Sequence, residues 1–254
     1  MIRNYADKRE LKDMVNELLE IQYNIAKAGR TDRKVQNLAF YINEDALRAI
    51  HKTMDKRKAC GIDGVTKEEY ERNLDENLTN LVKRMKSGSY RPNPTRRVYI
   101  PKETKDKMRP LGISCYEGKL VENVVAQILE QIYEPKFYNE SFGFRPNRNC
   151  HQAVREIIEM VQYRKTNYVV EADIKGFFDN VGHEWLMKML SRDIADRKFL
   201  EIIEKLLKAR IMENGRYLDS ERGTPQGNGA SPILANIVVR QIKRGCFRHI
   251  KTVR

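Results

Sequence analysis

The stretch YVVEADIKGFFDNV, residues 168–181, indicates both the fold class and the chemistry of the chain. Its apolar start, Tyr168–Ile174, predicts a β-strand with Asp173 near its end. A carboxylate in such a position is costly unless it meets a cation or a metal ion. A strand that aims this oxygen ligand at Mg²⁺, with a neighbouring backbone carbonyl, suits two-metal phosphoryl transfer. Without further context, a strand-end aspartate is more often a turn residue.

The residues that follow Asp173 predict a turn that leads into a helix. Asp179 and Asn180 precede the helix expected from His183, and N-capping is the preferred interpretation of both. Of the adjacent Phe177 and Phe178, one is expected in the core, because neighbouring strand residues point to opposite faces.

Helices and hairpins surround this stretch along the chain. Apolar residues with helical spacing predict helices at residues 11–25, 43–54, 66–88, 119–133, 150–162, 183–190, 195–210 and 233–239. Asn43 is a predicted N-cap, and Thr66 with Glu69 forms a predicted capping box. One hairpin pairs residues 97–100 with 109–113, and another turns at Asn214-Gly215. The mixture indicates an α+β fold, helix-rich with antiparallel β-hairpins.

The composition favours a polyanionic partner. The 254 residues include 48 Lys and Arg against 35 Asp and Glu, which gives a formal net charge of +13. These cations are spread along the chain, as in many nucleic-acid-binding proteins. A merely soluble basic surface is the alternative that charge alone leaves open, because phosphate contacts need cations but cations do not need phosphates.

Membrane and metal-cluster classes are not indicated. No stretch approaches the roughly 18 apolar residues of a membrane span, and the charged N-terminus lacks the apolar core of a signal peptide. We therefore expect no membrane partner and an intracellular location, in the bacterial cytoplasm or an organelle. The four cysteines form no Cys-x-x-Cys pair, so free thiols are expected and a structural zinc is not.

Several segments resemble, in the same order along the chain, the conserved blocks of reverse transcriptases of the group II intron maturase kind. They are GIDGVT at 61–66, VYIPK at 98–102, KMRPLGI at 107–113, SFGFRP at 141–146, ADIKGFFDNV at 172–181, and GTPQG to LANI across 223–237. The resemblance covers residues 38–237, and the first helix more loosely. It implies the fingers and palm subdomains of a right-hand polymerase. The expected division is a helical N-terminal extension at 1–57, fingers with some palm helices at 58–165, and a partial palm at 166–254.

The resemblance also implies the residues of a catalytic centre. Asp173 would be the catalytic carboxylate and a metal ligand, with the carbonyl of Ile174 beside it, in a two-metal Mg²⁺ site. Phe178 would lie under the nucleotide sugar, where an aromatic ring clashes with a 2′-hydroxyl and so favours deoxynucleotides. Without the resemblance, core packing is the simpler interpretation of Phe178.

Four further residues would bind the incoming dNTP. Lys102 and Arg109 would hold its triphosphate, because a two-stranded hairpin places cations rigidly over phosphates. Gln226 and Gly227 would lie against the base pair, where glycine lets the backbone approach closely. Without the resemblance, a solvated charged hairpin is the better interpretation of the first two residues.

Basic residues outside this centre are candidates for RNA binding. Lys58 lies in a basic, glycine-punctuated loop. Arg145 and Arg148 stand among Phe142 and Phe144, a combination that suits phosphate and stacking contacts with a single strand. The alternative is that the two aromatic residues are buried while the arginines are exposed. The partners implied are a group II intron RNA and an RNA template with its DNA primer.

The chain departs from the family at the second half of the metal site. The Tyr-x-Asp-Asp motif that supplies the other carboxylates does not occur, and residues 240–254 contain no acidic residue. The Mg²⁺ site is therefore expected to be incomplete, in a chain that is an RNA-directed DNA polymerase by family. Alternatives are a non-catalytic RNA-binding splicing factor and a retron or other non-retroviral reverse transcriptase. Apolar palm surface left uncovered would favour a homodimer.

We predict that the chain alone does not extend a primer, because one aspartate cannot hold two Mg²⁺ ions at the geometry of polymerisation. A labelled DNA primer annealed to an RNA template, incubated with dNTPs and Mg²⁺, measures this on a gel. Template-dependent extension that Asp173→Ala abolishes would contradict the prediction.

Overall fold

The computed structural model describes residue 25 and residues 34–101, 108–164, 166–224 and 227–250, with side chains as far as residue 242. The predicted first helix, residues 11–25, lies outside this part of the chain except for its last residue. That residue, Ile25, is helical and buried.

Helices dominate the described residues. They are α1 (Glu44–Thr53), α2 (Lys67–Glu71), α3 (Leu74–Lys86), α4 (Tyr116–Tyr133), α5 (Cys150–Tyr163), α6 (Phe177–Asn180), α7 (His183–Asp193), α8 (Arg197–Leu207) and α9 (Ser231–Ile250). Short 3-10 helices cover Leu38–Tyr41 and Glu134–Lys136. The strands are β1 (Thr95–Pro101), β2 (Met108–Ile113), β3 (Ile211–Glu213) and β4 (Arg216–Leu218). This mixture confirms the predicted α+β class. None of the described helices is both long and apolar enough to cross a bilayer.

Two predicted helix starts are confirmed by their capping bonds. Asn43 Oδ1 accepts a hydrogen bond of 2.9 Å from the amide of Ala46. Thr66 Oγ1 accepts one of 3.1 Å from the amide of Glu69. Each side chain satisfies an amide that the first helical turn leaves without a backbone partner.

The helix predicted as continuous over residues 66–88 is divided into α2 and α3. Asn73 interrupts it, with φ −126° and ψ 42°. Asn77 Nδ2 donates a hydrogen bond of 3.0 Å to the carbonyl of Tyr70, near the end of α2. Asparagine favours such a break because its side chain competes for backbone hydrogen bonds.

The two predicted hairpins join in one sheet with the strand order β2-β1-β3-β4. β1 and β2 are antiparallel, with Arg97 opposite Gly112. Between β3 and β4, Asn214 and Gly215 have φ values of 48° and 78°, as a type I′ turn requires. β1 also pairs in parallel with β3, a contact between distant segments that local patterns did not predict.

Helix α4 is the centre of the hydrophobic core. The helices α1, α8 and α9 pack against it. Since each buried aliphatic side chain contributes about 1.5–3 kcal/mol, α4 anchors the elements around it. Its most deeply buried apolar residues are Leu120, Val121, Val124, Val125, Ile128, Leu129 and Ile132.

Helix α5 differs from α4 because none of its residues is buried. Its start is well defined, since Asn149 and Gln152 form a reciprocal capping box. Helical spacing places four apolar residues on one side of α5, and each of them is about half exposed. They are Val154, Ile157, Ile158 and Val161.

Candidate functional site

The segment that carries Asp173 does not form the predicted strand. Residues 166–174 adopt neither helix nor strand, and Asp173 is exposed. The side chains of Tyr168, Val169 and Val170 are 90%, 76% and 89% exposed. A strand needs a neighbour for its backbone hydrogen bonds, and none of the described strands pairs with this segment. The strand prediction is therefore wrong: apolar composition favours a strand, but a strand also needs a neighbouring strand to bond with.

The two phenylalanines of α6 have different surroundings. Phe177 packs against the hydrophobic core, as predicted for one of the pair. Phe178 is half-buried, and its ring meets those of Phe177 and Phe144 at steep angles, with ring centroids 5.7 Å and 6.3 Å apart. These edge-to-face contacts orient the Phe178 ring from two sides.

Asp179 and Asn180 do not act as N-caps, so the interpretation preferred from the sequence is wrong. Both residues lie within α6, and Gly182 stands at the N-cap position of α7 without a side-chain cap. Asn180 Nδ2 instead donates a hydrogen bond of 2.9 Å to the carbonyl of Gly176. This bond closes the turn that follows the Asp173 segment.

The glycine-rich loop, residues 223–230, is fixed at its start to the region of α6 and α7. The amide of Gly223 donates to the carbonyl of Val181, and the amide of Thr224 to that of Phe178, both at 2.8 Å. His183 Nε2 donates a hydrogen bond of 2.7 Å to the carbonyl of Gly223. The buried His183 thus positions the loop, a role that its sequence neighbourhood did not indicate.

The end of the same loop lies directly on β2 and α4. Gly227 has a φ of 101°, and a Cβ added there would lie 2.9 Å from the carbonyl oxygen of Gly112. A Cβ on Gly229 would lie 3.0 Å from Asn123 Nδ2. Glycine permits both approaches, since it has no side chain and tolerates positive φ.

Glu122 of α4 connects the loop to the base of the hairpin, and the sequence analysis missed it. One carboxylate oxygen accepts a hydrogen bond of 2.5 Å from Ser114 Oγ, and the other accepts one of 3.2 Å from the amide of Gly229. The side chain is 3% exposed. Burial raises the pKa of Glu122 to about 7, and these two hydrogen bonds, with the charges of Lys119 and Lys58, oppose that rise.

Three separate segments therefore meet at one place: the β1–β2 hairpin, α6 and the glycine-rich loop. Gly112 of the hairpin contacts Gly227 of the loop, and the backbone of Phe178 is bonded to that of Thr224. A small cleft between the hairpin and α6 is lined by Gly112 and Asp179, among others. The predicted nucleotide residues Phe178 and Gly227 lie on two of these converging segments.

The loop SFGFRP contradicts the alternative of buried aromatic residues with exposed arginines. Phe144 is 69% exposed, whereas Arg145 is 8% exposed. The Arg145 guanidinium donates to the Glu134 carboxylate and to the carbonyls of Tyr138 and Ser141, at 2.7–3.1 Å. Because its donors face these internal acceptors, Arg145 stabilises the loop, and its position does not support the predicted contact with RNA.

The other predicted binding residues are accessible where the structure describes them. Lys58 and Arg109 are exposed, and Arg148 is half-buried. The guanidinium carbon of Arg148 lies 5.5 Å from the centroid of the Phe142 ring, within the range of a cation–π contact. Two predicted nucleotide contacts lie outside the described residues: Lys102 and Gln226.

The described residues do not form a complete metal centre. Among residues 34–101, 108–164, 166–224 and 227–242, no three His, Cys, Asp or Glu side chains are grouped so that they could hold an ion. Asp173 and Asp179 are exposed carboxylates, and carboxylate oxygens suit a hard divalent cation. Each of these two described carboxylates could therefore contribute a ligand to such an ion.

Comparison with known proteins assigns the chain to a family. The family described as "Reverse transcriptase (RNA-dependent DNA polymerase)" matches residues 100–253. Group II intron-encoded protein LtrA of Lactococcus lactis subsp. cremoris is 37% identical over 205 residues, which are 81% of this chain and 34% of LtrA. Protein YkfC of Escherichia coli strain K12 is 37% identical over 184 residues, 71% of this chain and 48% of YkfC.

A solved structure shares the fold. A chain of the partial Cas6-RT-Cas1–Cas2 complex matches with a TM-score of 0.50 and 21% identity, over 85% of this chain and 36% of that one. The chain belongs to the reverse transcriptase family, whose activity is RNA-dependent DNA polymerisation and whose members use a divalent metal ion. Its relatives confirm the predicted resemblance to group II intron-encoded proteins, and the chain spans about a third of the length of LtrA.

We predict that Glu122→Gln removes a fall in stability with pH. The folded-state pKa of Glu122 is about 7, above its ordinary 4.5, so the folded protein binds this proton more tightly than the unfolded chain. Stability should therefore fall as pH rises from about 4.5 to about 7, by roughly 3 kcal/mol in the free energy of unfolding. Glutamine keeps the shape and carries no charge, so urea denaturation of the variant should lack this fall.

The control for this experiment is Glu159→Gln, on the exposed helix α5. Glu159 is exposed, so its substitution should leave the wild-type pH profile unchanged. If the Glu122→Gln profile also followed that of the wild type, Glu122 would not titrate in the folded protein as stated.

Proposed function

We propose that this chain is the fingers and partial palm of a group II intron reverse transcriptase, and that it binds intron RNA, an RNA template with its DNA primer, and dNTP. The observation that carries the proposal is the meeting of the hairpin, α6 and the glycine-rich loop, which are far apart in sequence. The relatives named as intron-encoded proteins favour this group over retron enzymes. We assign residues 1–57 to the N-terminal extension, 58–165 to the fingers and 166–254 to the palm.

The nucleotide would lie between the hairpin and the loop. Arg109 is exposed on β2, a strand paired along its length with β1, so its guanidinium is well placed to bind a triphosphate together with Lys102. Phe178 would lie under the sugar, with its ring oriented by Phe144 and Phe177.

The loop would support the base pair through its backbone. Gly227 lies on Gly112 with no side chain between them, so the loop main chain reaches the hairpin. A side chain at Gly227 would push the loop away from β2 and from the nucleotide. Gln226, its neighbour, would share this contact.

We assign Asp173 and the carbonyl of Ile174 to an incomplete Mg²⁺ site. Bound Mg²⁺ would stabilise charge on a reacting phosphate. The acidic motif that provides the remaining ligands does not occur in the sequence. Binding of nucleic acid is therefore the activity that we propose for this chain alone.

A non-catalytic splicing factor is the second candidate function. The observation that favours it is the exposed, unpaired segment around Asp173, beside binding elements that are well packed. Under this proposal the chain binds the folded intron RNA and stabilises it without DNA synthesis. The two candidates share RNA binding and differ in primer extension.

We predict that the chain binds a structured group II intron RNA more tightly than an unrelated RNA of equal length. Contacts to RNA shape should preserve this preference as salt rises, whereas binding through net charge alone weakens steeply. Filter binding across about 50–200 mM salt measures both affinities. Equal affinities that fall together with salt would contradict the intron-specific proposal and leave only the charge of +13 as the cause.

Single substitutions locate the RNA contacts. Lys58→Ala and Arg148→Ala should each weaken RNA binding and reduce the slope of log affinity against log salt by about one, as expected for the loss of a phosphate contact. Arg197→Ala is the matched control, because this arginine is 92% exposed on α8 and its loss removes the same charge. If all three substitutions weakened RNA binding equally, the loss of one positive charge anywhere on the surface would explain the result, and Lys58 and Arg148 would not be specific contacts.

We also propose that the chain forms a homodimer through the exposed apolar side of α5. Val154, Ile157, Ile158 and Val161 leave apolar surface exposed on this side, and two copies could bury it against each other about a twofold axis. Static light scattering should show a dimer that Ile158→Ser weakens and that Phe40→Ser, at another exposed apolar position, does not. A wild-type chain that stays monomeric at micromolar concentration would refute the dimer.

A further inference from the structure

Glu122 links three elements of the candidate site from inside the core. It lies on α4, its carboxylate accepts from Ser114 Oγ directly after β2, and it accepts from the amide of Gly229 at the end of the glycine-rich loop. Ser114 is itself 5% exposed. A carboxylate in such a place costs free energy even when it is hydrogen-bonded, so stability alone does not account for it.

The bond to Gly229 lies two residues from the close approach of Gly227 to Gly112. Gly229 is also confined by Asn123, which would meet a Cβ at 3.0–3.3 Å. The loop end therefore has contacts with β2 and α4, and the Glu122 carboxylate is the hydrogen-bond acceptor that fixes its distance from α4.

The charged and titratable groups around Glu122 do not neutralise it fully. Lys119 on α4 and Lys58 in the loop before α2 stabilise its charge, and the buried Tyr90, between α3 and β1, is close enough to interact with it electrostatically. Burial outweighs these interactions and raises the pKa of Glu122 to about 7. The carboxylate is thus kept at a cost to stability.

We infer that Glu122 is a positioning residue of the nucleotide site, whose acceptor oxygens hold the end of the glycine-rich loop against β2 and α4. This inference rests on the proposed function, in which Gly227 lies against the base pair of template and nucleotide. Without an acceptor at Glu122, the Gly229 amide turns to water and the loop moves away from the hairpin. The rest of the fold does not need this bond, because α4 is anchored by its apolar residues.

Two substitutions at Glu122 separate positioning from a merely structural role. Glu122→Met keeps the length and volume of the side chain but removes both acceptors, and it also removes a buried charge. Glu122→Gln keeps an acceptor oxygen for the Gly229 amide. Its NH2 group can donate a hydrogen bond to Ser114 Oγ. If Glu122 is a positioning residue, Glu122→Met should release the end of the loop without lowering the urea midpoint of unfolding. Glu122→Gln should hold the loop as the wild type does.

The first measurement is amide hydrogen exchange of residues 227–230 in the free protein. In Glu122→Met these amides should exchange roughly tenfold or more faster than in wild type, as expected for the loss of a hydrogen bond to a charged group. Glu122→Gln should exchange much like wild type. The matched control is Glu130→Met, on the same helix, whose carboxyl also has a pKa raised by burial. Unchanged exchange in Glu122→Met, or equal acceleration in Glu130→Met, overturns the inference.

The second measurement is the affinity for an RNA template annealed to a DNA primer, by fluorescence anisotropy. Glu122→Met should bind roughly five- to tenfold more weakly, and Glu122→Gln should recover the wild-type affinity. If wild type binds and Glu122→Met binds equally well, the inference fails while the proposed function stands. If wild type does not bind, the proposed function fails, and the exchange rates alone decide whether Glu122 positions the loop.

Discussion

The burial of α4 determines where the described parts of the site lie. Its apolar residues pack against α1, α8 and α9, and α9 continues directly from the glycine-rich loop. The hairpin also leads into α4 through Ser114 and Cys115, both buried. The loop and the hairpin are therefore tied to the same helix by chain connection and by side-chain contact. A displacement of α4 would move both sides of the proposed nucleotide site together.

Buried charges, and not sheet hydrogen bonds, shape the loops of the site. Arg145 satisfies the carbonyl of Ser141 in the loop SFGFRP and that of Tyr138 just before it, and Glu122 satisfies an amide in the glycine-rich loop. Backbone groups in irregular segments need such partners, because an unpaired buried amide or carbonyl costs about 1–3 kcal/mol. Apolar replacements could be as stable, since buried charges carry a desolvation cost. The charged residues instead fix a particular loop geometry, which a binding site needs and a core does not.

Local signals predicted local structure well. Asn43 and Thr66 cap helices as expected, and Asn214-Gly215 makes the expected turn, because each depends on residues within three or four positions. The strand at 168–174 could not be predicted in this way, since a strand depends on a partner elsewhere. Arg145 is buried and Phe144 exposed, the opposite of what their residue types suggest. The burial of Arg145 depends on its hydrogen bonds to Glu134, which no local pattern connects to it.

Glu122 shows what the sequence analysis could have found. It stands on α4 with buried Gly118 four residues before it and buried Ala126 four residues after it, so helical spacing places it on the buried side. A single acid within an apolar helical stripe indicates either a functional carboxylate or a buried partner. Its partners, Ser114 and Gly229, could not be inferred, because nothing local to α4 identifies the loop that packs on it.

In the proposed function, binding and catalysis would depend on different parts of this chain. The hairpin, α6 and the glycine-rich loop are fixed to one another and to the core by contacts that need no ligand. Asp173 instead lies on an exposed segment that has no strand partner within the described residues. A preformed surface binds with little loss of conformational entropy, whereas a metal ligand must be placed to within a fraction of an ångström. In the proposed function, nucleic-acid binding would therefore need only the preformed elements, whereas chemistry would also need Asp173 to be held in place.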